Sequence, residues 1–315
     1  MADALRKTLA GLRALASDHR SGAAEIADRA AALLEEFCRQ ESRIVGSDPR
    51  LPYALSELAE ATLTVQPSMA PLLNLANRIQ LAAEQGTDSL RSLRSSVEKF
   101  RRQRQQAAAK IAQLFVSRLP RHATVLTYSY SSTVLAALTA AAKSSTHRLD
   151  HVILSEARPL YEGRALAERL AALGIRVTLV IDAALQDYVA SAHVLAVGAD
   201  TVFEGAYVNK LGTRLLQEKS RGVGKHLFVL ADTAKFLPPA LAPFQRIEEK
   251  PAEEVWRQAP PTVTVLNHYF EIMPLQRHVT LLSERGVMPP ARVRAWVEHQ
   301  EVARRWTEAR PGALR

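Results

Sequence analysis

The sequence predicts an α/β protein in which a helical N-terminal domain, residues 1–119, precedes a Rossmann-like domain with a doubly wound parallel sheet, residues 120–315. Two observations lead to this prediction. Before Pro120, apolar residues recur three and four positions apart, which is the period of an amphipathic helix. After Pro120, short runs rich in Val, Ile and Leu alternate with helical stretches, as expected for parallel strands that are covered on both faces.

The N-terminal helices are delimited by proline, glycine and capping residues. The clearest apolar stripe lies within residues 23–38. The pattern predicts further helices over 53–63, 70–85 and 89–117. The last of these follows the segment Gly86–Ser89, which combines a helix stop with an N-cap.

The C-terminal half contains the expected strands. They cover Thr124–Ser129, His151–Ser155, Arg176–Ile181, Val194–Val197, Leu227–Ala231 and Thr262–Leu266. The helical stretches between them include 131–142, 163–173 and 210–221. Strands and helices that alternate through right-handed crossovers form a parallel sheet, and such sheets bind ligands beyond the carboxyl ends of their strands. The residues that directly follow each strand are therefore the candidates for a site.

The composition, 47% hydrophobic with a mean hydropathy of −0.09, is that of a globular protein with a core. No apolar run approaches the roughly 18 residues of a membrane span, and the charged N-terminal stretch does not resemble a signal peptide. Cys38 is the only cysteine, which excludes an internal disulfide and a cysteine-rich metal site. We therefore expect a cytoplasmic protein that uses no membrane, metal or cofactor.

The net charge is +9 and the isoelectric point is near 9.9. A basic surface attracts phosphate backbones, but the same charge also fits a pocket for a small anion. The densest basic run, Arg91–Arg104, has helical character and is typical of a solvated helix face. The sequence shows no zinc-finger spacing and no RNA-binding signature, so RNA is permitted as a partner without being indicated.

Polar residues follow the first two expected strands. The segment Thr127–Ser132 places hydroxyl groups at a helix N-terminus, where Ser131 either binds a phosphate or simply caps the helix. Arg158 follows the second strand and is able to bind phosphate oxygens through its guanidinium. Glu156 either orients that arginine or accepts hydrogen bonds from sugar hydroxyls. The alternative is a structural Glu–Arg pair in a turn.

The strongest pattern follows the fourth expected strand, in Gly198–Thr213. Asp200 comes directly after an apolar strand, and Asn209 and Lys210 arrive at the expected start of the next helix. A carboxylate, an amide and an ammonium from one loop suit a polyol that carries a phosphate. Lys235 follows the fifth strand and either closes this pocket or is solvated.

Four stretches of the chain resemble the initiation factor 2B alpha/beta/delta-like superfamily. They are SEARPLYEG (Ser155–Gly163), GADTVFEGAYVNKLGT (Gly198–Thr213), DTAKF (Asp232–Phe236) and the segment Asn267–Pro290. In the N-terminal half, Arg20–Ala23 is similar to the phosphate-contacting segment of the family, and Gln66–Met69 is similar to its short loop.

This resemblance implies a phosphorylated sugar or nucleoside monophosphate bound between the two domains of a homodimer or larger homo-oligomer. It also implies ligand contacts from Arg20, Gly22 and Ala23. The isomerases of the family exchange protons between an Asp in the GAD motif, matched by Asp200, and a Cys after the first strand. This chain has Ser129 at the position of that Cys.

The missing thiol separates the functional hypotheses. A thiol has a pKa of about 8.5 that proteins tune towards neutrality, whereas a serine hydroxyl is much less acidic. The first hypothesis is therefore a protein that binds a phosphorylated sugar or nucleotide without isomerising it, as the regulatory alpha subunits of the family do. The alternative is an aldose–ketose isomerase in which Ser129 donates a hydrogen bond while Asp200 moves protons. A protein or RNA scaffold in translation is the third hypothesis.

Overall fold

A computed structural model describes residues 1–18, 21–41 and 48–308 of the chain. The N-terminal region is helical, as predicted. Its helices are α1 (Ala2–Ala16), α2 (Ala23–Glu41), α3 (Leu51–Leu63), α4 (Ala70–Ala83) and α5 (Ser89–Val116). The predicted stripe forms α2, which buries Ile26, Leu34 and Phe37 completely.

A seven-stranded sheet and a three-stranded sheet follow. The strands are β1 (Ala123–Leu126), β2 (Leu149–Ser155), β3 (Arg176–Val180), β4 (Val194–Val197), β5 (Thr201–Val202), β6 (Ala206–Lys210), β7 (Leu227–Leu230), β8 (Phe270–Pro274), β9 (Val279–Ser283) and β10 (Gly286–Val287). The helices among and after them are α6 (Ser132–Ala142), α7 (Glu162–Ala171), α8 (Asp182–Leu185), α9 (Thr213–Gly222), α10 (Pro290–Glu298) and α11 (Arg304–Glu308).

The larger sheet has the strand order β10-β9-β7-β4-β1-β2-β3 and is parallel except at β10. The order reverses between β1 and β4, so this sheet is doubly wound and its switch point lies between these two strands. The fold-class prediction is confirmed. The smaller sheet, β5-β6-β8, is antiparallel.

The core of the larger sheet is apolar on both faces. Val125, Val152 and Ala196 from its strands pack with Leu138 of α6 and Leu166 of α7. Burial of a Val or Leu side chain contributes roughly 1.5–3 kcal/mol to stability. This core holds the carboxyl ends of β1, β2 and β4 in fixed positions.

One predicted strand is absent, and five observed strands, β5, β6, β8, β9 and β10, were not predicted. Residues 262–266 form no strand, because Pro260 and Pro261 lack the backbone N–H that a strand ladder needs, and Val263 and Leu266 remain exposed. The segment 206–210, expected to lie outside the strands, is β6, which pairs with β5 and β8.

The chain divides into two compact units. A helical unit comprises residues 1–105, 234–246 and the residues from Arg294 onward, and a sheet unit comprises 106–233 and 247–293. In the helical unit, Asn77 of α4 exchanges two hydrogen bonds of 2.9 Å with the backbone of Glu301 and Ala303. The domain boundary expected at residue 119 stays a prediction.

Within the described ranges, no helix combines the length and the apolar character that a bilayer crossing requires. The same ranges contain no group of three or more His, Cys, Asp or Glu residues arranged to hold a metal ion.

Candidate functional site

The loop after β1 brings two serines to the switch point of the sheet. Ser131 is the N-cap of α6, and its hydroxyl accepts a 3.4 Å hydrogen bond from the backbone N–H of Val134. Capping is therefore one role of this side chain. Ser129 has a positive φ of 61° and is buried with 7% exposure. This left-handed conformation is uncommon for serine, and it marks a tight turn at the end of β1.

Gly198 lets three segments approach one another at the end of β4. A Cβ atom on this residue would lie 2.6 Å from the Ser131 hydroxyl oxygen and 4.0 Å from the Asn209 amide oxygen. Any side chain at 198 would therefore displace Ser131. Two residues further along the chain, the backbone N–H of Asp200 donates a hydrogen bond of 2.8 Å to the carbonyl of Val208, the neighbour of Asn209. The structure thus brings the side chains of Ser131 and Asn209 close to Gly198 and joins the backbone of Asp200 to β6.

Contrary to the prediction from the sequence, Asn209 and Lys210 do not begin the next helix. They are the last two residues of β6, and α9 begins only at Thr213. The Asn209 amide donates 3.0 Å to the Thr213 hydroxyl, which in turn donates 2.6 Å to the Lys210 carbonyl. Because successive side chains of a strand point to opposite faces, Asn209 and Lys210 lie on different sides of β6.

Lys210 is already neutralised. Its side chain is 4% exposed, and its Nζ donates 2.6 Å to Glu162 Oε1 at the first position of α7. The same ammonium lies 4.8 Å from the centre of the Tyr269 ring. An incoming anion would therefore meet the carboxylate together with the ammonium.

Glu162 is a site residue that the sequence reasoning missed. Its second carboxylate oxygen, Oε2, is buried and has no hydrogen-bond partner among the described residues. The position is rigid, since a Cβ on the adjacent Gly163 would lie 1.8 Å from the carbonyl oxygen of Ser155. The sequence contained a signal for this residue, because Glu162 directly precedes the glycine that ends the motif SEARPLYEG.

Glu156 and Arg158 do not pair with each other. Glu156 instead forms an ion pair with Arg164 of α7, with 2.6 Å between Arg164 Nη2 and Glu156 Oε2. Arg158 is exposed and donates to the Tyr161 hydroxyl and, at 3.2 Å, to the carbonyl of Val255. The prediction that Glu156 orients Arg158 is wrong, because the turn after β2 directs the two side chains to different partners.

Asp182, at the start of α8, holds the loop that follows β2. It accepts hydrogen bonds of 2.6 to 2.8 Å from the Ser155 hydroxyl and from the backbone N–H groups of Ala157 and Arg158. A carboxylate with three donors fixes the backbone around it. The loop that carries Arg158 is thus held in place although the Arg158 side chain itself is exposed.

Tyr128 connects the end of β1 to the end of β6. Its hydroxyl donates 2.7 Å to the carbonyl of Leu211, and Gly212, with φ of 107°, leaves room for that hydroxyl. Burial raises the pKa of Tyr128, and the nearby charges of Asp182, Glu162 and Glu271 raise it further. Tyr128 therefore stays protonated and acts as a hydrogen-bond donor.

The remaining predicted residues belong to the helical unit or lie outside the described residues. Arg20 is outside them. Gly22 accepts backbone hydrogen bonds in the first turn of α2, which begins at Ala23. Lys235 is buried in a short 3₁₀ turn.

Cys38 also lies in the helical unit, in α2, and is 1% exposed. Burial raises the pKa of its thiol to about 12. A thiol of this kind does not exchange protons near neutral pH.

The chain is similar to known proteins over most of its length. Residues 19–290 match the initiation factor 2 subunit family. Over 277 residues the chain is 29% identical to the ribose 1,5-bisphosphate isomerase of Archaeoglobus fulgidus, covering 85% of each protein. Over 243 residues it is 31% identical to a putative translation initiation factor eIF-2B subunit 2-like protein of Pyrococcus furiosus, covering 77% of this chain and 83% of that protein.

Among solved structures, the translation initiation factor eIF-2B of Pyrococcus horikoshii superimposes with a TM-score of 0.77 at 28% identity. The match covers 91% of this chain and 98% of that protein.

Proposed function

Because the chain belongs to the initiation factor 2 subunit family, we propose that it binds a phosphorylated sugar or nucleoside monophosphate at the carboxyl edge of its parallel sheet, without isomerising it. The residues around Gly198 supply the polar groups for such a ligand. The Ser131 hydroxyl and the N-terminus of α6 suit a phosphate, and Asp200 and Asn209 suit sugar hydroxyls.

Glu162 adds an acceptor that favours a polyol. Its Oε2 atom is buried without a donor, and a buried acceptor of this kind costs about 1–3 kcal/mol unless a partner supplies a hydrogen bond. A sugar hydroxyl supplies that bond, whereas a phosphate oxygen does not. Glu162 and its Lys210 partner therefore belong to the part of the site that contacts the sugar.

The absence of isomerase activity rests on Ser129. In the isomerases that the motifs resemble, a thiol at this position exchanges a proton with the substrate. Here the group is a buried hydroxyl in a tight turn. The only thiol of the chain, that of Cys38, belongs to α2 and has a raised pKa. Ser129 therefore does not supply the acid that the isomerases use together with the Asp that Asp200 matches.

The test combines binding and turnover. Calorimetry with ribose 1,5-bisphosphate, ribose 5-phosphate and AMP measures binding, and NMR of the same mixtures detects any ketose product. We expect saturable binding that falls at least tenfold in Asp200→Asn, with no product. Asp150→Asn is the matched control, since Asp150 pairs with Arg176 near the opposite end of β2. Absence of binding to every ligand would contradict the proposal.

An isomerase is the second candidate function, favoured by the 29% identity to a ribose 1,5-bisphosphate isomerase along 85% of both proteins. In that case the Ser129 hydroxyl donates a hydrogen bond to the reacting oxygen, and Asp200 moves the proton. Ketose formation by the unmodified protein that Asp200→Asn abolishes would establish this function. Product formation only in Ser129→Cys would instead support binding without turnover.

We further propose that the protein is a cytoplasmic homodimer or a larger homo-oligomer, as the family resemblance implies. Light scattering of the purified chain measures its mass directly, and a monomer of 34.7 kDa would contradict this proposal.

A further inference from the structure

The helical unit contains two arginines over one buried ring. The guanidinium carbon of Arg78, in α4, lies 5.5 Å from the centre of the Phe100 ring, and that of Arg104, in α5, lies 5.3 Å from it. Phe100 is 1% exposed and Arg104 is buried, whereas Arg78 is partly exposed. Contacts between a cation and a ring compensate only part of the loss of hydration.

Arg104 has the partners that a buried cation needs. Its Nε donates 3.0 Å to the carboxylate of Asp28, and its Nη2 donates 2.9 Å to the carbonyl of Ala24. Both acceptors belong to α2, so Arg104 fixes α5 against α2. This arginine is a structural residue whose charge is compensated within the unit.

Arg78 differs from Arg104 at this point. It is partly buried, and burial lowers its pKa, yet it forms no ion pair or hydrogen bond with the described residues. The segments outside the description, 19–20, 42–47 and 309–315, contain no Asp or Glu. No side-chain carboxylate of the chain thus compensates Arg78. A counter-ion that binds a partly buried guanidinium compensates the hydration that burial removes.

We propose that Arg78 forms an anion-binding site in the helical unit, which takes a small oxyanion such as inorganic phosphate or the phosphate group of a metabolite. The guanidinium presents parallel N–H groups that match two oxygens of a phosphate. Arg78 lies in α4 and uses no residue of the sheet edge, so this proposal is independent of the function proposed above.

Thermal unfolding and calorimetry of the full chain test this site. Inorganic phosphate is titrated at constant ionic strength, with chloride as the balancing anion. We expect the melting temperature of the unmodified protein to rise with phosphate and to saturate. In Arg78→Met the phosphate affinity should fall at least tenfold. Without phosphate this variant should be at least as stable as the unmodified protein, because the uncompensated charge is gone.

Arg102→Met is the matched control, since Arg102 is an exposed arginine of the neighbouring helix α5. It should keep the full phosphate response. Arg78→Lys keeps the charge without the paired N–H groups, so it should fold normally and bind phosphate more weakly. This variant keeps the test valid even if Arg78→Met does not fold.

Three outcomes would overturn the proposal. The first is an unchanged phosphate response in Arg78→Met and Arg78→Lys. The second is an unmodified protein whose stability does not distinguish phosphate from chloride. In the third, Asp200→Asn abolishes the phosphate response and the Arg78 variants keep it. Such a result would show that phosphate binds at the sheet edge. That result would leave the proposed function intact and remove only the inference about Arg78.

To distinguish free phosphate from a phosphorylated metabolite, ribose 5-phosphate is titrated into Asp200→Asn, in which the sheet-edge site is weakened. A response that Arg78→Met removes from this background would assign the phosphate group of a metabolite to Arg78. If inorganic phosphate alone gives the response, the site takes the free ion.

Discussion

The two edges of the seven-stranded sheet differ in chemistry. At the carboxyl edge, Glu162 forms an ion pair with Lys210, and Asp182 accepts hydrogen bonds from Ser155 and from two backbone N–H groups. The amino edge is rich in histidine. Six of the nine histidines of the chain stand just before a strand of this sheet or near its start: His122, His147, His151, His193, His226 and His278. The carboxyl edge thus carries a carboxylate–ammonium pair, while imidazoles line the amino edge.

The histidines of the amino edge have structural partners. His226 lies 2.6 Å from the Thr280 hydroxyl, His151 lies 2.9 Å from that of Thr178, and His278 lies 3.0 Å from the carbonyl of Gln217. These contacts join adjacent strands, or a strand to a helix. Polar groups connect neighbouring elements at both edges, but at the carboxyl edge the Glu162 Oε2 atom remains a buried acceptor without a donor among the described residues.

The largest effect is expected from Gly163→Ala, at the carboxyl edge. The new Cβ would lie 1.8 Å from the Ser155 carbonyl oxygen, so the N-terminus of α7 must move away from β2. We expect a loss of stability of at least about 4 kcal/mol, measured by urea unfolding. Gly222→Ala, in open space at the end of α9, should change stability by less than about 1 kcal/mol. Equal effects of the two substitutions would contradict this interpretation of the edge.

A smaller effect is expected from Lys210→Met. It leaves the carboxylate of Glu162 buried without its cation, which costs about 3–5 kcal/mol for a fully buried pair and less here, since Glu162 is 12% exposed. The double variant Glu162→Gln with Lys210→Met should recover most of that loss in urea unfolding. If the loss in the double variant instead equals the sum of the losses in Glu162→Gln alone and Lys210→Met alone, the two charges do not depend on each other.

The smallest effect is expected at the amino edge, as a dependence on pH. Burial and the charge of His278 lower the pKa of His226 below its ordinary value of 6.5 in the folded state. The unfolded chain therefore binds a proton first, so the contribution of His226 is complete above about pH 6.5 and is lost as the pH falls. His226→Gln should make the fall in melting temperature between pH 7.5 and 5.5 shallower. An unchanged slope would locate the acid sensitivity elsewhere.

The sequence contained enough information for the elements that are buried on both faces. Strands β1, β2, β4 and β7 are short apolar runs, and their burial explains why the pattern found them. The strand β6 was missed because its longer pairing, over five residue pairs, is with β8, which lies some sixty residues further along the chain, and its pairing with β5 covers only two. Pairing over that separation is not visible in a local pattern.

The candidate site was predictable only to the level of its segments. The position of Asp200 after β4 follows from the apolar run before it. The partners of Glu156, Arg158 and Lys210 do not follow, because each depends on how a turn directs the side chain. The ion pair between Lys210 and Glu162 joins motifs that the sequence treated separately, so the neutralisation of Lys210 became visible only in the structure.

The helical unit is built from three separate stretches of chain, with the polypeptide passing between the two units four times. Its α4 helix depends on Glu301 and Ala303, and Phe244 contacts Trp306 with ring centres 5.5 Å apart. During synthesis on the ribosome, Asn77 of α4 leaves the exit tunnel 224 residues before its partner Glu301. Helix α4 therefore acquires these neighbours only after the segments of the sheet unit, 106–233 and 247–293, have been synthesised.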